Sequence, residues 1–524
     1  MSEHKSIFKS ASVISGFTVV SRITGFVRDV LMANVFGTGV AAQAFFVAFK
    51  IPNMLRDILG EGAGNAAFVP VFCEVLAKKT KIEFLRLVNS LLVLLLTISG
   101  GIAVMGVLAA PLIVRLMAPG FLSDPAKFTL AVQLTQILFP YLVLVTVSAY
   151  FMSVANSLKS FAVPASSSVA YNLVLILLLF FILRMPGPQQ IFALGFSVLL
   201  AGCAQVLIQG PSLLKSGIDF KKGGFYAHPL REAFVRKIGR LISPRILGTS
   251  IYQLNIFVDT IFASLAFLVG EGAIAAIYYA NRIIQFPFSV FGVALSNAAL
   301  PSLSASSTKE NFAEFKAILL FCLKAIILAL VPLSVGILLL ARPLVEIIFQ
   351  RGSFGVYSTV ITSRAVFFYT FGLLSYASVR ILSLACYALQ DTMTPVKTSA
   401  VALGSNILLN FLFIFVFKWQ IAGLALASSL SATLNFYLLH KFLKNKIGNV
   451  FDVASKRMVA KTVMASFVMA LVIGFGAGRL FVSGPGWGGL MLVTALGAVT
   501  YAVMLRLFRV CEFEDLVSWL RKKR

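Results

Sequence analysis

Long apolar segments alternate with short polar connections along the whole chain. No charged residue occurs between positions 91 and 114, for example, and about 20 apolar residues are enough to cross the hydrocarbon of a bilayer. Segments of this kind predict an all-α polytopic membrane protein with about 14 transmembrane helices. The predicted helices have the approximate bounds 11–36, 40–70, 86–116, 127–157, 162–184, 189–214, 236–268, 272–302, 314–341, 357–389, 395–417, 420–442, 457–480 and 484–510.

The polar connections differ in charge. Lysine and arginine are concentrated in 78–86, 215–240 and 441–457 and in the tail 521–524, whereas the connections on the opposite side are nearly free of them. Because cytoplasmic loops carry the excess of Lys and Arg, we expect both termini in the cytoplasm. Hydrophobic residues make up 59% of the chain and charged residues 12%, so the net charge of +26 is largely this topological signal. No soluble domain is long enough to bind nucleic acid, and no nucleic-acid partner is predicted.

The chain also repeats itself at a spacing of 230 to 231 residues. Three short segments recur, and they pair Asp29 with Asp259, Pro70 with Pro301 and Pro164 with Pro395. The repeated part holds six helices, an even number, so both copies enter the membrane in the same orientation. We therefore predict two six-helix lobes, 1–220 and 221–448, related by a parallel pseudo-two-fold repeat. Residues 449–524 then supply two further helices and a basic tail. Lobes of this kind usually enclose a central cavity and rock in alternating access.

The first two predicted helices carry charges where a lipid-spanning helix should have none. A charged residue at a helix centre costs roughly 2.5–3.5 kcal/mol on insertion scales. Several of them together must face a water-filled cavity, and an intramembrane ionisable residue is a functional-site hypothesis. The charged residues within or near these two helices are Arg22, Arg28, Asp29, Lys50, Arg56, Asp57 and Glu61.

The spacing of these residues indicates a central cationic cavity. Arg22 and Asp29 are seven positions apart and share a helix face, while Lys50, Asn53 and Asp57 follow one stripe of the second helix. In the second half, Arg282 lies one position from the repeat equivalent of Lys50. An excess of cations binds an anion, and the planar fork of arginine suits phosphate. A phosphate-bearing lipid is one such ligand. The alternative is that single residues reach the membrane interface or form structural ion pairs.

Four motifs connect the chain to a known family. SRITGFVRD, FFVAFKIPNMLRDILGEGAGNAAFVPVF, YYANRIIQFPFSVFGVALSNAALPSLS and QDTMTPVK closely resemble the MurJ (MviN) lipid II flippases, which belong to the multidrug/oligosaccharidyl-lipid/polysaccharide exporter superfamily. The resemblance covers essentially the full chain. It implies two six-helix lobes plus two C-terminal helices. It also implies, instead of an enzyme, a carrier in the bacterial cytoplasmic (inner) membrane that flips lipid II, the undecaprenyl-pyrophosphate-linked peptidoglycan precursor, to the outer leaflet for cell-wall synthesis.

The resemblance also assigns roles to residues. The arginines that line the family's central cavity match Arg22, Arg28, Arg56 and Arg282, and its AEG acid matches Glu61. The chain departs from the family at Gln43 and Asp57, where many members have an acidic and a basic residue. The substrate-binding residues predicted from the pattern and the resemblance together are Arg22, Arg28, Asp29, Lys50, Asn53, Arg56, Glu61 and Arg282. The resemblance further implies that 457–510 forms a groove for the lipid tail; ordinary packing of these apolar helices is the alternative.

The energy source is predicted from what the sequence contains. No Walker-type phosphate loop occurs, so direct use of ATP is not expected, and a cation gradient or the membrane potential is the predicted energy source. No cofactor is predicted apart from a coupling cation. Asp259, Asn406 and Asn410 offer oxygen ligands that suit a hard cation, and the resemblance points to sodium. Hydrogen bonds between helices are the alternative role of these polar residues.

Other function classes make different demands on the residues. An exporter of another lipid-linked oligosaccharide, of the O-antigen type, would share the cationic cavity and stays open as an alternative. A drug exporter for organic cations would need acidic residues there. A membrane enzyme acting on a polyprenyl phosphate would need an acidic cluster to hold Mg²⁺, but the cytoplasmic connections contain only isolated acids such as Asp219, Glu232 and Asp391.

Overall fold

The computed structural model describes residues 2–56, 63–308, 312–481 and 484–510, and these are helical almost throughout. Contacts between the helices divide the chain into two compact units, Met1–Leu265 and Ala266–Arg524. The helices of the first unit are α1 Ser2–Phe36, α2 Val40–Arg56, α3 Ala63–Lys78, α4 Lys81–Leu108, α5 Ala110–Met117, α6 Pro125–Leu138, α7 Tyr141–Ser157, α8 Ala162–Ile182, α9 Gly187–Lys215 and α10 Ala233–Ser264.

The second unit is helical in the same way. Its helices are α11 Ala266–Val269, α12 Ala273–Pro287, α13 Ala294–Thr308, α14 Phe312–Phe349, α15 Val356–Thr370, α16 Leu373–Ala388, α17 Met393–Phe411, α18 Gln420–Ile447, α19 Val453–Leu480 and α20 Trp487–Leu507. The part of the chain that the structure describes contains no strand. The prediction of an all-α fold is therefore confirmed.

Ten helical segments within the described residues are long and apolar enough to cross a membrane, or eleven if the bent pair α15 and α16 forms one span. The chain is therefore a multi-pass membrane protein. The three other predicted elements also fall on helices, since 11–36 lies in α1, 40–70 overlaps α2 and α3, and 236–268 overlaps α10. The exact number of fourteen spans and the pseudo-two-fold repeat stay predictions.

Several predicted helices are interrupted in the structure, and prolines explain two of these breaks. The predicted helix 86–116 is divided at Ala109, just before Pro111, and 127–157 is divided at Pro140. A proline lacks the backbone N–H and its ring clashes with the carbonyl four residues earlier. After Pro287, the helix continues as a π-helical segment, Phe288–Val293. Apolar periodicity alone reveals neither a helix break at a proline nor a π-helical segment.

The core of the first unit is rich in aromatic side chains. Helix α7 packs on α3, α4 and α9, and α8 packs on α1 and α9. Tyr150 of α7 lies edge-on to Phe68 and Phe72 of α3, at ring-centroid distances of 5.6 and 6.0 Å. Its hydroxyl donates a 2.7 Å hydrogen bond to the carbonyl of Val88 in α4. The buried tyrosine thus connects three helices and has its polar atom satisfied.

Helix α10 contacts the rest of the first unit near both of its ends. Close to its beginning, Lys237 Nζ donates a 2.5 Å hydrogen bond to Glu74 Oε2 of α3. At its end, Ser264 Oγ accepts a 3.1 Å hydrogen bond from the backbone N–H of Gly120. Hydrogen bonds from Lys237 and then from Lys78 lower the pKa of Glu74 below its ordinary value. The packing of α10 places this helix in the first unit, which ends at Leu265. The predicted lobe boundary at 220/221 rests on the sequence repeat and stays a prediction.

In the second unit, α14 packs on α15, α16 and α19, and α19 packs on α20. The hydroxyl of Tyr501 in α20 donates a 2.8 Å hydrogen bond to the carbonyl of Leu328 in α14. Helices α19 and α20 also expose large apolar side chains, including Phe467, Phe475 and Met491, each more than half exposed. Such a surface is compatible with a groove for a lipid tail or with contact to the bilayer, so the predicted groove at 457–510 stays a prediction.

The connection between α9 and α10 lies against the beginning of α4. Asn89 Nδ2 donates hydrogen bonds of 3.2 and 2.8 Å to the carbonyls of Phe220 and Lys222. Arg86 Nε donates to the carbonyl of Gly223 at 3.0 Å. Gly223 has φ +91°, and a Cβ built there would lie 2.9 Å from the backbone nitrogen of Arg86. A side chain at position 223 would therefore require both a left-handed backbone and a shift away from α4.

Gly223→Ala is predicted to destabilise the protein more than Gly224→Ala does. Both glycines have positive φ, but a Cβ at Gly224 meets nothing within 4 Å. The backbone strain is common to both variants, and the clash with α4 adds about 1–3 kcal/mol for Gly223→Ala. Thermal unfolding of the purified chain in detergent measures the difference. Equal unfolding midpoints for the two variants would show that the connection does not lie on α4 in this way.

Candidate functional site

Arg28 and Asp29 form an ion pair inside the first unit. Arg28 donates from Nε and Nη2 to Asp29 Oδ1, at 3.0 and 2.7 Å. The side chain of Arg28 is 13% exposed and that of Asp29 only 1%. Arg28 Nη1 donates a third hydrogen bond, of 3.0 Å, to Asn172 Oδ1 of α8. Asn172 in turn donates from Nδ2 to the carbonyl of Ser21 in α1, at 3.0 Å. The guanidinium plane is therefore fixed by two helices before any ligand is present.

Two tyrosines connect this ion pair to α2. Tyr171, next to Asn172 on α8, interacts electrostatically with both Arg28 and Arg56, and it shares a side-chain hydrogen bond with Tyr141 of α7. The rings of Tyr141 and Tyr171 are 5.9 Å apart, and that of Phe49 in α2 is 5.7 Å from Tyr141. The structure thus brings Arg28, Asp29 and Arg56 together around residues of α7 and α8.

Lys50 faces a different helix. Its Nζ donates a 2.5 Å hydrogen bond to Thr260 Oγ1 of α10, and it interacts electrostatically with the adjacent Asp259. Asn255, one turn earlier on α10, lies at 3.5 Å from Asp259 Oδ2 through its Nδ2. Lys50 therefore has a carboxylate nearby, as Arg28 has in Asp29. Two of the four predicted basic residues of this unit are accompanied by acids.

The other predicted residues of the first unit differ in their surroundings. Arg22 is exposed on α1, and Val19 and Ile23 near it are 56% and 55% exposed. Within the residues that the structure describes, Arg22 has no hydrogen-bond or ion-pair partner. Asn53 is half-buried in α2. Glu61, like Asp57, lies outside the described residues.

Arg282 belongs to the second unit. It lies on α12, where Nη2 donates a 2.7 Å hydrogen bond to the hydroxyl of Tyr278. The guanidinium carbon is 4.8 Å from the centre of the Tyr278 ring, which is a cation–π contact. Tyr278 lies one turn before Arg282 on the same helix, so α12 itself orients this arginine.

The residues predicted to bind a cation are divided between the units. Asn406 and Asn410 are buried on α17 of the second unit, and Asn410 Nδ2 donates a 2.8 Å hydrogen bond to Asn406 Oδ1. Asn406 Nδ2 contacts Ser428 Oγ of α18 at 3.3 Å. Asp259 belongs to the first unit, where Lys50 is its neighbour. The described residues contain no cluster of three or more His, Cys, Asp or Glu side chains fit to hold a metal. The cation site stays a prediction.

The sequence reasoning did not single out the residues that orient these charges. Asn172, Tyr171, Thr260 and Tyr278 contact the predicted residues directly but were not among them. A signal existed for Asn172, because an amide within the long apolar helix Ala162–Ile182 needs a partner inside the protein. Tyr278 could also have been found, since it precedes Arg282 by one helical turn. Nothing in the sequence connects Thr260 to Lys50.

Comparison with known proteins gives the family. The family model described as "Lipid II flippase MurJ" matches residues 32–483. A relative from Buchnera aphidicola subsp. Acyrthosiphon pisum, "Probable lipid II flippase MurJ", is 34% identical over 473 residues, which are 89% of this chain and 89% of that protein. The chain belongs to the MurJ family of lipid II flippases. The family predicted from the four motifs is confirmed.

Solved structures agree with this family. "Lipid II flippase MurJ, inward closed conformation" has a TM-score of 0.79 and 26% identity, and the match covers 96% of this chain and 99% of that one. An inward-facing MATE transporter of the MOP superfamily matches with a TM-score of 0.69 at 12% identity over 82% of this chain and 95% of that one, which shows a shared fold. The MurJ family is one of transporters, and the chain is a multi-pass membrane protein of this family.

Arg28→Lys is predicted to destabilise the protein, although the charge is kept. Lysine lacks the planar guanidinium that donates to both Asp29 and Asn172. A hydrogen bond to a charged group contributes about 1.5–3 kcal/mol. We expect a loss of free energy of unfolding in that range, measured by thermal unfolding in detergent. Arg22→Lys is the matched control on the same helix and should change stability by less than about 0.5 kcal/mol. Similar losses for both variants would contradict the orienting role of Asp29 and Asn172.

Proposed function

We propose that the chain flips lipid II from the cytoplasmic to the outer leaflet of the bacterial cytoplasmic membrane for peptidoglycan synthesis. The observation that carries this proposal is the preoriented guanidinium of Arg28, next to Arg56 in a membrane-spanning unit. A pyrophosphate presents several oxygens to such planar donors. Membership in the MurJ family supports lipid II over the O-antigen-type alternative.

The contacts of Arg28 explain how an anion is received without a large reorganisation. Asp29 orients the guanidinium, and Asn172 fixes its plane. Groups that are oriented in advance cost less free energy to order on binding. Arg22, which has no partner among the described residues, adds a cation that an anion can engage directly. Arg282 with Tyr278 is the proposed contribution of the second unit to the same substrate.

The cytoplasmic placement of both termini belongs to this proposal. The connections 78–86, 215–240 and 441–457 are basic, which favours their retention in the cytoplasm. The lipid tail would lie on the exposed apolar surface of α19 and α20. Alternating access is the proposed mechanism, and the division of the chain into two compact units supports the movement of two bodies.

Coupling to a cation gradient, with sodium as the candidate ion, is the proposed energy source. Asp259 supplies a carboxylate, and the ammonium of Lys50 lies beside it in this structure. A lysine near the carboxylate competes electrostatically with a bound cation. Binding of the cation therefore requires Lys50 to turn away from α10, which would connect the ion to a residue of the substrate site. Asn406 and Asn410 are the proposed neutral ligands.

Arg28→Ala and Arg282→Ala are each predicted to abolish growth of cells depleted of their own lipid II flippase. Both variants remove a guanidinium from the proposed binding site. Arg231→Ala, which removes an exposed arginine from the connection between α9 and α10, is the control and should support growth. An assay for precursor exposed on the outer leaflet distinguishes transport from other defects, with expression checked by immunoblot. Full complementation by both site variants would refute the cationic cavity.

Asp259→Ala is predicted to remove the cation dependence of transport. The measurement is lipid II exposure in cells or vesicles at varied sodium concentration and membrane potential. Glu314→Ala, which removes an exposed acid from the first turn of α14, serves as the control and should retain the dependence of the wild type. If Asp259→Ala responds to the cation as fully as the wild type does, Asp259 is not a coupling residue.

A further inference from the structure

A cavity of about 630 Å³ lies between the connection after α9 and the beginning of α4. It is separate from the residues that bind substrate in the proposed function. Its lining combines charged and apolar side chains, among them Lys81, Ile82, Leu214, Asp219 and Lys222. Its position follows from the fold, since α4 begins at Lys81 and α9 ends at Lys215. Both helices are membrane-spanning candidates, so the cavity lies where two spans end.

The walls of this cavity are fixed by polar contacts. The hydrogen bonds from Asn89 and Arg86 place the backbone of 220–223 on α4, and the backbone N–H of Tyr226 donates to Ser90 Oγ at 2.8 Å. The aromatic ring of Phe220 stacks on Phe151 at 5.5 Å. The cavity is therefore part of the folded first unit.

The cavity carries one positive charge that no carboxylate balances. Lys222 Nζ lies 3.5 Å from Asp219 Oδ2, so these two charges are paired. Asp219 Oδ1 also accepts a 3.0 Å hydrogen bond from the backbone N–H of Lys221. Lys81 has no hydrogen-bond or ion-pair partner within the described part of the chain. Its Nζ lies over Gly217, 3.0 Å from where a Cβ would be, so the ammonium sits at the cavity.

Apolar side chains border the charged ones on the side of the spans. Ile82 is 61% exposed and Leu214 is 56% exposed. Ile82 follows Lys81 at the beginning of one span, and Leu214 precedes the end of the other. The lining thus changes from cationic at Lys81 to apolar at Ile82, the next residue. The same change occurs from the headgroups to the hydrocarbon of a bilayer.

We propose that this cavity binds the phosphate of an anionic glycerophospholipid, with phosphatidylglycerol as the simplest example. A phosphodiester carries a single negative charge, which matches the one unbalanced lysine. The acyl chains would then lie along Ile82 and Leu214. Lysines near an anionic membrane surface each contribute about 1 kcal/mol to lipid attraction. The bound lipid would contact the connection that lies between α9 and α10, next to Lys222 and Gly223.

The proposal is tested by titrating the full-length chain in detergent with phosphatidylglycerol and counting bound lipids by native mass spectrometry. Lys81→Gln removes the unbalanced lysine of the cavity, and about fivefold weaker binding is expected, because such a lysine contributes about 1 kcal/mol. Lys215→Gln removes the same charge from the adjoining connection, outside the cavity lining, and binding should weaken less than about twofold. Both side chains are exposed, so both variants should unfold at the temperature of the wild type.

Three further ligands identify the source of the phosphate. Phosphatidylcholine should bind at least tenfold more weakly than phosphatidylglycerol, and glycerol 3-phosphate should not compete with it. Equal weakening in Lys81→Gln and Lys215→Gln would overturn the proposal in favour of diffuse charge attraction. Competition by glycerol 3-phosphate would show a soluble phosphate site. If Lys81→Gln weakens the binding of undecaprenyl diphosphate as much as that of phosphatidylglycerol, the cavity belongs to the substrate, a result that leaves the proposed function intact but overturns this inference.

Discussion

A charge within an apolar helix of a membrane protein needs polar neighbours, and this constraint governs the surroundings of Arg28 and Lys50 in the first unit. Arg28 has Asp29 and Asn172, and Lys50 has Thr260 with Asp259 nearby. These contacts join α1 to α8 and α2 to α10, so the charges also determine which helices meet. Helix packing in lipid lacks a strong hydrophobic driving force. The polar contacts therefore specify the arrangement of the first unit as much as its aromatic core does.

Much of the fold followed from apolar periodicity, and the exceptions have local causes. A long run without charge predicts a span, and ten or eleven such spans occur in the described residues. The interruptions at Ala109 and Pro140 depend on single prolines inside otherwise continuous apolar runs. The π-helical segment Phe288–Val293 directly follows Pro287, and α15 and α16 are bent by 47° at the short break between them. A hydropathy value averaged over a window of residues does not resolve these breaks and bends.

The candidate site was predictable in its charges but not in its contacts. Arg22, Arg28, Lys50 and Arg282 are conspicuous because ionised residues are costly in an apolar helix. The neutral residues that contact them, Asn172, Thr260 and Tyr278, are less conspicuous, because an uncharged polar residue in a membrane helix costs much less. The contact of Arg28 with Asn172 spans 144 positions and that of Lys50 with Thr260 spans 210. Such pairs depend on how helices are arranged in three dimensions, which local patterns do not contain.

The two attachments of α10 have a consequence for how the chain can be divided. The contacts of α10 with Glu74 and Gly120 place this helix in the first unit, which ends at Leu265. A fragment that ends at residue 220 would lack both contacts, whereas a fragment that ends at Leu265 would keep them.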